Sequence, residues 1–186
     1  MPSLRAASSL AFSLALSACG GASSTASSPE AARAECRAAG LGGVCDLIGT
    51  RPEPWRQPGL DGAMLSVPPA SKTPALVDFW SVDCVPCKRA MPELQALSTA
   101  RGVAVVGVSI DDHPGRVVAT LQERGVTYPV IIDDRRALAG QYRVGGDVPR
   151  LFVVDAAGVI RGVFGGEADA VSRAAALHAS LPAGAR

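Results

Sequence analysis

The chain has 186 residues, 48% of them hydrophobic, and a formal net charge of +1 from 18 Lys and Arg against 17 Asp and Glu. That length suits one globular domain with its own core. The near-neutral balance excludes nucleic acid as a partner, because phosphate binding needs a concentrated basic surface. With aromatics at 4% of the chain, an aliphatic core is expected.

Arg5 precedes the apolar run Leu10 to Leu16, which is too short to cross a bilayer as a mature helix and has the form of a secretory signal. The run closes on Leu16-Ser17-Ala18-Cys19, which resembles the bacterial lipobox. The resemblance implies that residues 1–18 are removed and that Cys19 is acylated. Each buried acyl methylene contributes ~0.8 kcal/mol, so several chains would hold the protein at a membrane surface. Residues 19–29, rich in Gly, Ser and Ala, read as a flexible tether with a mean reach of ~16 to 19 Å. The expected location is therefore the periplasmic side of a bacterial membrane, inner or outer.

Residues 30–49 form an N-terminal extension: a helix is expected over 30 to 38, then Gly40-Leu41-Gly42-Gly43 breaks it. Cys36 and Cys45 flank this break, and in an exported chain they are expected to form a local disulfide. The sharper alternative is a second redox pair feeding the first. Residues 50–183 form the main domain, beginning with a tight turn at Leu60-Asp61-Gly62-Ala63 ahead of Met64 to Val67, which suggests a small hairpin. Strands follow at Ala75 to Trp80, Val103 to Ile110, Tyr128 to Ile132, Leu151 to Val154 and Val159 to Phe164, with helical stretches between most of them. Continuous apolar runs such as Val103 to Val108 require cover on both faces, which implies an α/β sheet sandwiched by helices. The short turn at Asp155 to Gly158 makes the last two strands an antiparallel pair, so the sheet is mixed.

The segment Leu76-Val77-Asp78-Phe79-Trp80-Ser81-Val82-Asp83-Cys84-Val85-Pro86-Cys87-Lys88 reads as strand, turn and helix start. Cys84 falls at the helix N-terminus, where unpaired N–H groups and the positive end of the macrodipole favour a thiolate. Cys87, three residues on, shares its helical face and lies within disulfide reach. Pro86 fits the first turn, where its missing N–H costs little.

This order, continued by Met91-Pro92-Glu93-Leu94, resembles the thioredoxin superfamily, and within it the exported, membrane-tethered TlpA-type thiol:disulfide oxidoreductases. The resemblance covers roughly residues 50 to 181 and implies a thioredoxin-like fold, a nucleophile at Cys84, a resolving thiol at Cys87 and no cofactor. It further implies a cis peptide bond at Val148-Pro149, with Trp80, Val148, Pro149 and Arg150 at the substrate surface. Asp78 matches a buried acid that takes the proton from the resolving thiol. The implied partners are a disulfide-containing extracytoplasmic protein and a membrane electron donor, in the direction of a disulfide reductase.

Three residues depart from the family pattern: Asp83 replaces the usual Trp before the nucleophile, Ala90 replaces a frequent Glu, and Arg150 follows the proline where Thr is common. A negative Asp83 opposes the thiolate. Arg150 either selects an acidic substrate or is simply solvated. Two alternatives stand beside the oxidoreductase: a copper-binding or copper-delivering module with His113 as a third ligand, and a thiol peroxidase using Ser81-Val82-Asp83-Cys84, although the Pro expected upstream is replaced near Val77. Zinc lacks a second ligand pair of fitting spacing, since only Cys36, Cys45, His113 and His178 remain. Haem attachment fails because Lys88 stands where a His is needed.

Overall fold

The computed structural model describes residues 28–69 and 72–184. The signal segment, Cys19 and nearly all of the tether lie outside the described residues. Helix α1 (Pro29–Ala38) starts where the Ser28 hydroxyl accepts the Ala31 N–H at 3.3 Å, with Pro29 in the first turn, where no donor is missed. A 3-10 helix (Gly42–Leu47) follows the glycine break. Strands β1 (Trp55–Pro58) and β2 (Met64–Val67) pair antiparallel around the turn at Asp61, the hairpin expected from the sequence.

The main sheet is built from β3 (Ala75–Trp80), β4 (Ala104–Ser109), β5 (Val130–Ile132), β6 (Arg150–Val154) and β7 (Ile160–Phe164), in the order β5-β4-β3-β6-β7. The three strands on one side run parallel, and β6 and β7 are antiparallel to their neighbours, so the sheet is mixed as expected. Helices α2 (Val85–Arg101), α3 (Pro114–Glu123), α4 (Ala137–Gln141) and α5 (Ala170–Ser180) complete the fold. Strand β5 is shorter than the apolar run suggests, because Pro129 has no N–H to give the ladder and only its carbonyl engages β4, accepting from Gly107 at 2.9 Å. Helix α2 ends at Gly102, whose φ of 62° is the left-handed turn that glycine makes freely.

Period-two alternation along β3 divides the core. Val77 and Phe79 face one layer with Phe152 and Tyr142, whereas Leu76 and Trp80 face the other with Met91, Leu94 and Ala174. The aliphatic expectation is corrected on the first face, where Phe79, Tyr142 and Phe152 form an aromatic trio with ring centroids 4.9 to 5.6 Å apart. Few aromatics suffice when the topology gathers them at one place.

The N-terminal extension covers that same face. Val44, Cys45 and Ile48 join its core, and the Gly49 N–H donates to the Ile160 carbonyl at 2.7 Å. A disulfide joins Cys36 to Cys45 across 5.7 Å between Cα atoms, and both residues are almost wholly buried. A buried bridge in a short loop stabilises by limiting the unfolded chain. Cys36→Ser is expected to lower unfolding stability by ~2 to 3 kcal/mol in urea titrations while leaving disulfide exchange at Cys84 intact. Loss of exchange in a variant that is still folded would instead assign the pair to the redox relay.

Candidate active site

Strand β3 ends at Trp80, the turn Ser81-Val82-Asp83 follows, and Cys84 caps α2 with an extended backbone (φ −79°, ψ 102°). Its Sγ accepts the Cys87 N–H at 3.1 Å, the bond an N-cap oxygen would ordinarily accept, and its carbonyl accepts the Lys88 N–H at 3.2 Å. A sulfur at this place faces the unpaired donors of the first helical turn, which favours its negative form. Cys84 and Cys87 are joined as a disulfide with Cα atoms 5.3 Å apart. Their exposure differs: Cys84 is half-buried and Cys87 is fully buried.

The turn ahead of Cys84 is pinned by the segment between β4 and α3. Asp111 accepts the Val82 N–H at 2.9 Å and the Ser109 hydroxyl at 2.8 Å. Arg116, in the first turn of α3, donates to both carboxylate oxygens of Asp83, at 2.6 and 3.3 Å. These hydrogen bonds, helped by the charges of Arg116 and Lys88, hold the exposed Asp83 carboxyl below its ordinary range. The charge expected to oppose the thiolate thus carries its own counterion, which sequence alone could not pair across 33 positions. Arg116→Ala is expected to slow alkylation of reduced Cys84 at neutral pH by about threefold at low salt, the difference shrinking as salt screens the pair. Equal rates in both proteins would show that Arg116 does not bear on the sulfur.

The Val148-Pro149 peptide bond is cis. Pro149 and Pro86 converge on Gly166, where an added Cβ would stand 3.3 Å from the first and 3.5 Å from the second. The loop after β7 therefore packs where the helix start and the proline loop meet. Between them lies a cleft of about 320 Å³ lined by Pro86, Pro149, Asp78, Ala90, Glu93 and Glu167. Asp78 shares the β3 face of Leu76 and Trp80, is 2% exposed, and has one carboxylate oxygen without a hydrogen-bond partner. Burial pushes its carboxyl up from 3.8 to about 7.

Trp80 corrects the sequence expectation. It is fully buried among Cys87, Met91 and Leu94, because strand alternation turns it under α2, so it supports the site from within and offers no surface to a substrate. Val148 and Arg150 are half-buried beside Pro149. His113 caps α3, is largely exposed and meets Asp112 at 3.5 Å, while His178 meets the Pro74 carbonyl at 3.1 Å. No group of three or more His, Cys, Asp or Glu side chains among the described residues is placed to hold a metal ion. The sequence reading missed Glu93 and Glu167 as cleft residues. Glu93 carried a signal, two helical turns after Pro86 on the same face, whereas Glu167 carried none, since its place depends on the β7 loop folding back so that it accepts the Gly165 N–H at 2.9 Å.

The profile of the AhpC/TSA family matches residues 49–163. Among curated proteins, DipZ of Mycobacterium tuberculosis is 32% identical over 102 residues, covering 50% of this chain and 14% of that protein. The thiol-disulfide oxidoreductase ResA of Geobacillus kaustophilus is 29% identical over 93 residues, covering 48% of this chain and 53% of ResA. The chain thus spans about half the length of ResA and a small part of DipZ. Among solved structures, a secreted Mycobacterium tuberculosis disulfide oxidoreductase superposes with a TM-score of 0.59 at 19% identity, covering 68% of this chain and 96% of that one, and shares the fold.

Proposed function

Since the chain belongs to the AhpC/TSA family, in its thioredoxin-like part, we propose that it is a thiol:disulfide oxidoreductase working through Cys84 and Cys87. The observation that carries this reading is the half-buried Cys84 sulfur at the head of α2, accepting the Cys87 N–H, on the helix start whose Pro86 lines a cleft with Pro149. In the reduced protein, the Cys84 thiolate attacks one sulfur of a substrate disulfide, forming a mixed disulfide and releasing the other substrate sulfur as a thiolate. Cys87 then gives its proton to Asp78 and attacks Cys84, which frees the second substrate thiolate and leaves the protein oxidised. Two electrons pass from the dithiol to the substrate. The Val148 carbonyl, next to Pro149, faces an extended substrate strand as an acceptor, while its N–H is held by the Gly146 carbonyl at 3.1 Å. Relatives named as oxidoreductases and interchange proteins support this reading over a thiol peroxidase.

We place the protein outside the cytoplasm, held by acylated Cys19, acting as a reductase on disulfide-bearing proteins and recharged by a membrane electron donor. The signal-like run and the lipobox-like segment support the location. An oxidising compartment makes the donor necessary. Thiol trapping in growing cells tests the direction. Cys84 and Cys87 found mostly reduced fit a reductase, and a mostly oxidised pair would reverse the assignment.

A further inference from the structure

Helix α4 is bracketed by two arginines in the left-handed region: Arg136 at its start (φ 53°, ψ 30°) and Arg143 just beyond its cap Tyr142 (φ 53°). Arg143 holds the position that glycine most often takes. Its N–H donates to the Gly140 carbonyl at 3.1 Å and the Val144 N–H donates to the Ala139 carbonyl at 2.7 Å, the paired bonds of a Schellman ending. A side chain is unfavourable there, and such strain tends to persist where a side chain has work to do.

Arg143 lines a groove of about 290 Å³ with Arg150 and Asp147, walled on the other side by Gly42 and Val44 of the N-terminal extension. The Arg136 guanidinium donates to the Gly145 carbonyl at 3.1 Å on the rim, and that of Arg150 donates to the Pro149 carbonyl at 3.0 Å. None of these arginines has a carboxylate partner among the described residues. Asp147 is the one carboxylate lining the groove. Asp147 and Arg150, which line the groove, flank Val148 and Pro149 in sequence, so a substrate strand laid along that loop reaches it.

We propose that this groove is a subsite for an acidic stretch flanking the substrate's disulfide, with Arg143 and Arg150 determining the preference. The proposal rests on Cys84 as the exchanging sulfur, and names the class of substrate which that site takes. Guanidinium groups tied to carbonyls still present free N–H donors to carboxylates, and two arginines against the one Asp147 leave the groove a net positive charge that attracts an acidic segment before contact.

The test uses the reduced protein and a pair of disulfide peptides that differ only in a flanking run of Glu or Lys. The Glu peptide is expected to be reduced about tenfold faster at low salt, with the advantage fading as salt rises. Arg143→Glu combined with Arg150→Glu should invert the order. Arg143→Gly, which suits the turn, should weaken the preference and raise thermal stability. Equal rates for the peptides, or a preference that survives the double variant, would overturn the proposal. Anisotropy of a fluorescent Glu peptide with Ser in place of its Cys reads binding without exchange. Binding lost in the double variant upholds the groove even where Cys84 proves unreactive, and binding unchanged sinks it even where Cys84 exchanges normally.

Discussion

Cys87→Ser is expected to stop turnover and to accumulate a covalent adduct between Cys84 and one half of the substrate. The asymmetry of the two sulfurs requires it. Cys87, in the first turn of α2, is fully buried in the cluster with Trp80, Met91 and Leu94, so an incoming disulfide meets Cys84 alone. Cys84 also has the N-cap position and the Cys87 N–H aimed at its sulfur, which prepares it as a nucleophile and as a leaving group. Removing the buried thiol leaves the first step intact and deletes the second, so multiple turnover should fall by at least about a thousandfold while single-turnover capture persists. Mass spectrometry after mixing with a disulfide peptide measures both. An equally fast adduct on Cys87 in the Cys84→Ser variant would overturn the assignment of roles.

The parts of this site that were legible in the sequence are those set by local spacing. A strand, a short turn and Cys-x-x-Cys at a helix start place Cys84 as cap and Cys87 inside the first turn from chain geometry alone. Apolar runs likewise announced all five strands of the sheet, and the turn at Asp155 to Gly158 announced the antiparallel pairing of its last two. What stayed hidden depends on folding partners far along the chain. Asp83 looked like a liability until α3 brought Arg116 to it, and Glu167 reaches the cleft only because the β7 loop folds back. Trp80 differs for another reason: the resemblance implies a surface place for it, whereas strand alternation sends it inward. Helix α4 escaped notice because five residues are too few to display a helical period.

Asp78→Asn is expected to make the protein more stable and less active, with both effects growing as pH rises. The carboxyl is lifted from 3.8 to about 7 because it is buried with an unpartnered oxygen. Between those values the folded chain keeps a proton that the unfolded chain has released, so stability falls as pH rises through that window and levels off above about pH 7. A shift of that size corresponds to a loss on the order of 4 kcal/mol, an upper figure once water in the cleft is allowed for. An amide stays neutral throughout, so the variant should match the parent near pH 4 and exceed it at pH 8, as urea unfolding at the two values will read. Activity runs the opposite way. The ionised form that destabilises the fold is the one able to take the Cys87 proton, and deleting it should slow resolution of the mixed disulfide by about a hundredfold. Formation of that adduct should be unaffected, because Cys84 is activated by helix amides and not by Asp78. Stopped-flow measurement across pH separates the steps: the parent's resolution rate should rise with a titration near 7, and the variant's should lack it. A variant that keeps this titration would move the proton acceptor to another group in the cleft, with Glu93 and Glu167 the carboxylates to replace next. The buried acid thus couples stability to turnover, since the charge that weakens the fold at neutral pH also readies the second sulfur to attack.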